Sequence, residues 1–201
     1  MGRTVADGRG AAVTPATLSQ ACQMPLLRAQ TWAPCISDAV ERFNVQAVAM
    51  FLAQIAHESG CFQYVREIWG PTRAQAQYGQ RADLGNTKPE AATIAASAGD
   101  EPGHYYRGAG LIQLTGYTNI LAFSLAWWGD DRGVHDPKLL TIPANAAGSA
   151  AWYWYWKRLD PLAAPGTRDA FIAVTRVING GTNGLDDRLR LWESAKRAGL
   201  Q

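Results

Sequence analysis

The stretch Asn44-Val-Gln-Ala-Val-Ala-Met-Phe-Leu-Ala-Gln-Ile-Ala-His-Glu58 decides the fold. It is apolar almost throughout and free of Gly and Pro, so it reads as one buried helix, with Asn44 as its N-cap. Glu58 breaks the pattern. Helical intervals back from it reach Ile55, Gln54 and Phe51 on the apolar side. Burial there disfavours a charged carboxylate, and the negative end of the helix dipole acts in the same direction. A carboxyl group so placed suits a general acid. A second acid, Glu67, follows nine residues later in a segment punctuated by Gly60, Gly70 and Pro71. A loop acid there stays solvated and ionised. Glycoside hydrolysis needs such a pair, one acid to protonate the leaving oxygen and one carboxylate to activate water or attack carbon. The plainer alternative pairs Glu58 with Arg66 or another base and leaves Glu67 a surface acid, and the residues alone balance the two.

The rest of the chain reads as further helices. Thr14-Pro15 forms an N-cap and a first-turn proline for a helix to about Cys22. A second helix is expected from near Pro34 through Phe43. Helical patterning resumes after Gly116 and closes at Trp127-Trp128-Gly129. Further helices are expected at Pro143–Lys157, Asp169–Ile178 and Leu185–Ala198, with a short alanine-rich one at Pro89–Ala98. Tyr78 to Gly110 is rich in Gly, Asn, Pro and Asp, a connection long enough to be functional. The expectation is one mainly α domain over residues 13–201, with a small β element after Glu58 and residues 1–12 a loose tail.

Composition narrows the function classes. The 201 residues are 47% hydrophobic and 18% charged, which is a globular balance. A net charge of +2, with no basic run, argues against nucleic acid and does not oppose an anionic wall polymer. Residues 1–14 lack the apolar core of a secretory signal, and no run approaches a membrane span, so cytoplasmic synthesis is expected. Cys22, Cys35 and Cys61 follow no metal spacing; they read as free thiols, with a Cys22–Cys35 bridge as the alternative in an oxidising compartment. The three histidines form no ligand cluster, so neither metal nor other cofactor is expected. Ala56-His-Glu-Ser-Gly60 is not a nucleophile elbow. Gln113, Thr115 and Asn119 offer amides and a hydroxyl suited to sugar groups, and Tyr105 and Tyr106 are either sugar-stacking or core rings. In Trp152-Tyr-Trp-Tyr-Trp156, Trp152 and Trp156 share a helix face, and core packing outweighs a carbohydrate platform.

Four motifs in order resemble glycoside hydrolase family 19, the chitinase-like lysozyme-fold group that includes phage endolysins. They are Ala56-His-Glu-Ser-Gly60, Tyr78-Gly-Gln-Arg-Ala-Asp-Leu-Gly-Asn-Thr87, Tyr106-Arg-Gly-Ala-Gly-Leu-Ile-Gln-Leu-Thr-Gly116, and Val177-Ile-Asn-Gly-Gly-Thr-Asn-Gly184 followed by Asp187-Arg188. The resemblance runs from about Thr31 to Leu200. It implies a bilobal α-helical fold with a substrate cleft and an inverting mechanism, with Glu58 as general acid and Glu67 as general base. It implies substrate-side roles for Gln113, Thr115, Asn119, Asn179 and Arg188, joined by Tyr106, and makes Thr72 a candidate for holding the catalytic water. Ala109 stands where the family usually has Arg, and Asn183 where plant members carry an acid. The short Glu58–Glu67 spacing looks like the bacterial and phage branch. The expected function is a monomeric endolysin that cuts peptidoglycan glycan strands as a muramidase. It would be stored in the host cytoplasm and reach the wall by holin-dependent release, without inserting in the membrane. A chitinase and an inactive glycan-binding module are the alternatives.

Overall fold

The computed structural model describes residues 13–201, so the reading of residues 1–12 as a tail lies outside it. The fold is mainly helical, as the pattern indicates. In chain order the helices are α1 (Pro15–Cys22), α2 (Leu26–Arg42), α3 (Val48–Glu58), α4 (Pro89–Ser97), α5 (Pro102–Tyr105), α6 (Tyr117–Trp128), α7 (Arg132–His135), α8 (Pro143–Trp156), α9 (Leu159–Ala163), α10 (Arg168–Asn179) and α11 (Leu185–Arg197). Short 3₁₀ turns at Gln75–Gln80, Ala82–Leu84 and Pro137–Thr141 fill the connections. The expected β element is reduced to two isolated antiparallel bridges, Arg66 with Ala109 and Ala109 with Leu114.

Two apolar clusters give the molecule its lobes. The larger gathers α1, α2, α3, α9, α10 and α11 with the alanine face of α8. The smaller is built from Ala91, Tyr106, Ala109, Leu114, Tyr117, Ile120, Phe123, Val134, Leu140 and Trp152. Helix α8 serves both: Ala146, Ala147, Ala150, Ala151 and Trp154 face the first, Trp152 the second. Small residues let α2 and α8 approach closely, while the tryptophans fill what remains. Trp152 and Trp154 are thus core residues, and Trp156 stacks on Trp152 with ring centroids 5.0 Å apart and 11° between the planes.

Two helix starts differ from the sequence reading, and the short helices α5, α7 and α9 are additions to it. Helix α2 begins at Leu26 and carries Pro34 within it. Leu26 and Leu27 are exposed, so the first turns show no apolar stripe to read. Helix α3 begins at Val48, because Asn44 sits in a left-handed conformation (φ 52°) and turns the chain before the helix starts. Its cap comes from far away. Asp160 Oδ1 accepts from the backbone N–H groups of Gln46 and Ala47, each at 3.0 Å, and from Trp154 Nε1 at 2.9 Å. A charged acceptor at a helix start satisfies orphan donors and the dipole together. Helix α5, absent from the sequence reading, packs against the turn at Gln75–Gln80. A Cβ on Gly103 would lie 2.6 Å from the Gly79 nitrogen, which is why glycine stands there.

Candidate active site

Glu58 is the last residue of α3, and its side chain is one-fifth exposed. Arg188, from the first turns of α11 and almost wholly buried, donates from Nη2 to Glu58 Oε1. The same guanidinium gives Nη1 to Gln54 Oε1 at 2.6 Å and Nε to the Asn183 carbonyl at 3.2 Å. Gln54, one turn before Glu58, passes its own Nε2 to Thr175 Oγ1 at 2.8 Å. Helices α3, α10 and α11 are thereby joined behind the acid by a polar network in which each buried group has a partner. Among the described residues no hydrogen bond reaches Glu58 Oε2. Arg188, rather than Arg66, is the base paired with Glu58. The carboxyl is therefore not the lone desolvated acid that the helix pattern describes.

Neighbours on α11 and α8 complete this side. His57 Nδ1 meets Asp187 Oδ2 at 2.7 Å, and Arg190 Nη2 holds the other oxygen of Asp187 at 2.6 Å. Gly184 (φ 68°) passes directly under His57, and a Cβ there would overlap the imidazole ring. Tyr153 lies close enough for burial and the Glu58 charge to raise its phenol above the ordinary tyrosine range. Asn179 folds the Asn-Gly-Gly loop onto itself, accepting from Gly181 N–H at 2.9 Å and donating to the Asn183 carbonyl at 3.1 Å. That carbonyl also receives Arg188, so Asn179 stands one bond removed from the Glu58 partner.

Glu67 belongs to the bridged segment. Its N–H donates to the Gly108 carbonyl and its Oε2 accepts the Gly108 N–H, both at 2.9 Å. Oε1 accepts from Gln75 Nε2 at 2.9 Å and from the Tyr78 hydroxyl at 3.1 Å. An ionised carboxylate is acceptor-only, and three donors from two segments hold this one. Burial first, then the Glu67 charge and this hydrogen bond, raises Tyr78 above its ordinary value. Gly108 permits the close approach, since a Cβ on it would lie 2.8 Å from Gln113 Oε1 and 3.3 Å from Glu67 Oε2.

Gln75 was not singled out from sequence, yet it orients Glu67. Its amide oxygen accepts from Thr72 N–H at 2.8 Å, Thr72 Oγ1 accepts from Gln75 N–H at 3.2 Å, and its second Nε2 bond goes to the Ile68 carbonyl. Thr72-x-x-Gln75 is thus a capping box. That pattern was the available signal. Thr72 reaches Glu67 through Gln75.

The other candidates fall in two groups. Gln113 (φ 54°), Thr115 and Asn119 cluster at the Gly108 side, where Gln113 donates to the Gly110 carbonyl at 3.2 Å, Thr115 to the Gln113 carbonyl at 2.9 Å and Asn119 to the Thr115 carbonyl at 2.8 Å. Gln113 Oε1 is buried and accepts no hydrogen bond among the described residues. Tyr106 is the exception. It is fully buried, edge-on to Tyr105 and Tyr117 at 4.9 and 5.5 Å, and offers no surface to a sugar. The family of glycines and aromatics around it made the ring look accessible; the second lobe's core claims it instead.

Among the described residues no three His, Cys, Asp or Glu side chains are grouped to hold a metal, and no helix is long and apolar enough to cross a membrane.

No family model matches the chain. A glycosyl hydrolase family 19 domain-containing protein of Haemophilus influenzae is 33% identical to it over 172 residues, covering 75% of this chain and 79% of the relative. Among solved structures, a chitinase C mutant superposes with a TM-score of 0.68 at 21% identity, covering 95% of this chain and 94% of the other. Chitinase C from Streptomyces griseus gives 0.65 at 22%, covering 93% and 76%. A class IV chitinase from Zea mays gives 0.63 at 18%, covering 93% and 92%. Fold and relatives together define a glycoside hydrolase with the chitinase-like variant of the lysozyme fold. The chain belongs to glycoside hydrolase family 19.

Proposed function

We propose that this hydrolase cuts the β-1,4 glycan of peptidoglycan with inversion, as a muramidase, with Glu58 as general acid and Glu67 as general base. The observation that carries the reading is the unequal holding of two carboxyls. Glu58 is fixed through one oxygen by Arg188, and no hydrogen bond among the described residues reaches the other. Glu67 is fixed by Gly108, Gln75 and Tyr78 as an acceptor. In the proposed step Glu58 gives its proton to the leaving glycosidic oxygen. Glu67 takes a proton from the water that attacks the anomeric carbon from the opposite face, which inverts that centre. Arg188 then faces the Glu58 carboxylate that the transfer leaves behind. Gln113, Thr115, Asn119 and Asn179 are proposed to line the sugar path, and Thr72 acts by setting Gln75. The small positive net charge suits an anionic wall polymer. We place the enzyme as a monomeric endolysin, held in the host cytoplasm and passed to the wall by a holin.

Chitin is the second reading, favoured by the chitinases among the superposing structures. The deciding experiment incubates wild type and Glu58→Gln with purified peptidoglycan and with chitin oligomers. Released reducing ends are tagged and identified by mass spectrometry. New N-acetylmuramic acid ends that vanish in the variant support the muramidase. N-acetylglucosamine ends from chitin alone move the assignment to a chitinase. Wild-type activity in a folded Glu58→Gln variant removes Glu58 from the acid role.

A further inference from the structure

A second hollow lies beside Glu67. A cavity of about 700 Å³ opens between the segment Trp69–Gln80 and the start of α5. Trp69, Pro71, Gln75 and Ala76 belong to one wall, and the stretch from Gly99 to His104 supplies the other. The two walls meet where Gly103 passes Gly79 too closely to admit a side chain. The volume falls within the range of pockets that enclose small ligands.

The first wall also holds the carboxylate. Gln75 lines the cavity while its Nε2 donates to Glu67 Oε1 at 2.9 Å. Trp69 stands edge-on to Tyr78 at 6.0 Å, and the Tyr78 hydroxyl donates to the same oxygen at 3.1 Å. A group in the cavity is therefore one glutamine side chain away from the proposed base. Trp69 and His104, edge-on at 5.0 Å, form an aromatic corner, and Asp100 accepts His104 Nδ1 through both oxygens, at 2.8 and 2.7 Å. Glu101 is exposed beside them, and no Lys or Arg lines the cavity. An aromatic ring with carboxylates near it receives an ammonium and turns away an anion.

We propose that this cavity takes the peptide branch of peptidoglycan, with the ammonium of the branch's diamino acid toward Asp100 and Glu101, and so selects wall glycan over chitin. The inference rests on the muramidase reading and deepens it. Both polymers are β-1,4 chains of N-acetylated sugars, but only peptidoglycan bears a peptide on alternate rings. An extended tripeptide reaches roughly 10 Å, enough to pass the width of Gln75 and enter the cavity.

The first test titrates the wild type with N-acetyl-L-alanyl-γ-D-glutamyl-meso-diaminopimelate, and with its L-lysine counterpart, under proton NMR. The chain has three histidines, His57, His104 and His135, so their ring resonances report three separate places. One of the peptides should shift His104 saturably and leave His57 and His135 in place. Kinetics then compare peptide-bearing glycan strands with the same strands stripped by an amidase. The wild type should show kcat/KM about tenfold higher on the peptide-bearing strands. Ala76→Trp, which fills the cavity from an exposed position, should bring that ratio near one. Unmoved His104 resonances with both peptides, or shifts at His57 instead, overturn the proposal. So does a wild type equally fast on both strands, or an Ala76→Trp ratio as high as the wild type's. A wild type that cuts chitin alone removes the muramidase reading, and the cavity is then judged by the titration.

Discussion

Arg188→Met keeps the length of the side-chain stem and removes the guanidinium behind Glu58. Arg188 is 2% exposed and Glu58 20%. Breaking a buried ion pair from one side costs about 3–5 kcal/mol. The lower end applies here, about 3, because Glu58 retains some contact with water. Gln54 is fully buried, and its Oε1 loses its donor, which adds about 1–3 kcal/mol. The two losses belong to one network and do not add fully, so the expected total is about 4 kcal/mol. For a domain of this size that is a Tm lower by roughly 8–16 °C. Calorimetry of Arg188→Met, Glu58→Gln and the double variant forms a cycle whose coupling should reach about 2 kcal/mol. A Tm loss under about 3 °C, or coupling under about 0.5 kcal/mol, would refute the claim that the network carries the acid.

Other predictions follow from single contacts. Gln75→Leu removes a donor from Glu67 and should lower kcat by roughly 10- to 100-fold with KM little changed, as steady-state kinetics on the identified glycan would read; an unaltered kcat would deny Gln75 its positioning role. Asp160→Ala strips the distant cap from α3 and should cost about 1–2 kcal/mol in urea unfolding, and a cost under about 0.5 would deny Asp160 the capping role. Gly184→Ala drives a Cβ into His57 and strains a left-handed residue. It should lower both Tm and activity, and a neutral result would mean the loop bearing Asn183 shifts freely. Iodoacetamide should modify Cys61 with a pH midpoint near 7, ahead of Cys35, whose thiol burial raises; a midpoint above 8.5 would deny Cys61 the lowering that the neighbouring Cys22 gives it.

The acid was legible because it violates a pattern: an apolar helix that ends in a glutamate exposes its exception to inspection. Its partner was not legible from spacing, since Arg188 lies 130 residues away, and only the ordered motifs of the family pointed to it. Asn44 misled for a physical reason. A polar residue before an apolar run is a good cap by type, yet the cap is set by backbone conformation, and Asp160 supplies the acceptor from another helix. Pro34 misled because a proline is favoured in a first turn and costly in an interior, yet here it sits inside α2. Glu67 gave no local sign of the contacts that hold it. The Thr72-x-x-Gln75 box beside it did, but a capping box reads as architecture, and here its glutamine also serves the carboxylate. Tyr106 shows the limit of residue type alone: the ring next to a glycine turn lies in a core that only the tertiary fold defines.

The distant partners of α3 put a clock on its assembly. Nine of its eleven residues are buried, and the groups that hold it, Asp160, Thr175, Asp187 and Arg188, are all encoded more than a hundred residues downstream. At about 5–20 residues per second, the 130 residues between Glu58 and Arg188 take roughly 6–26 s to translate. Through that interval the nascent chain carries an apolar segment too short to hold as a helix alone, with its acid unpaired. A chain stalled before Arg188 therefore exposes an apolar segment whose partners are not yet made.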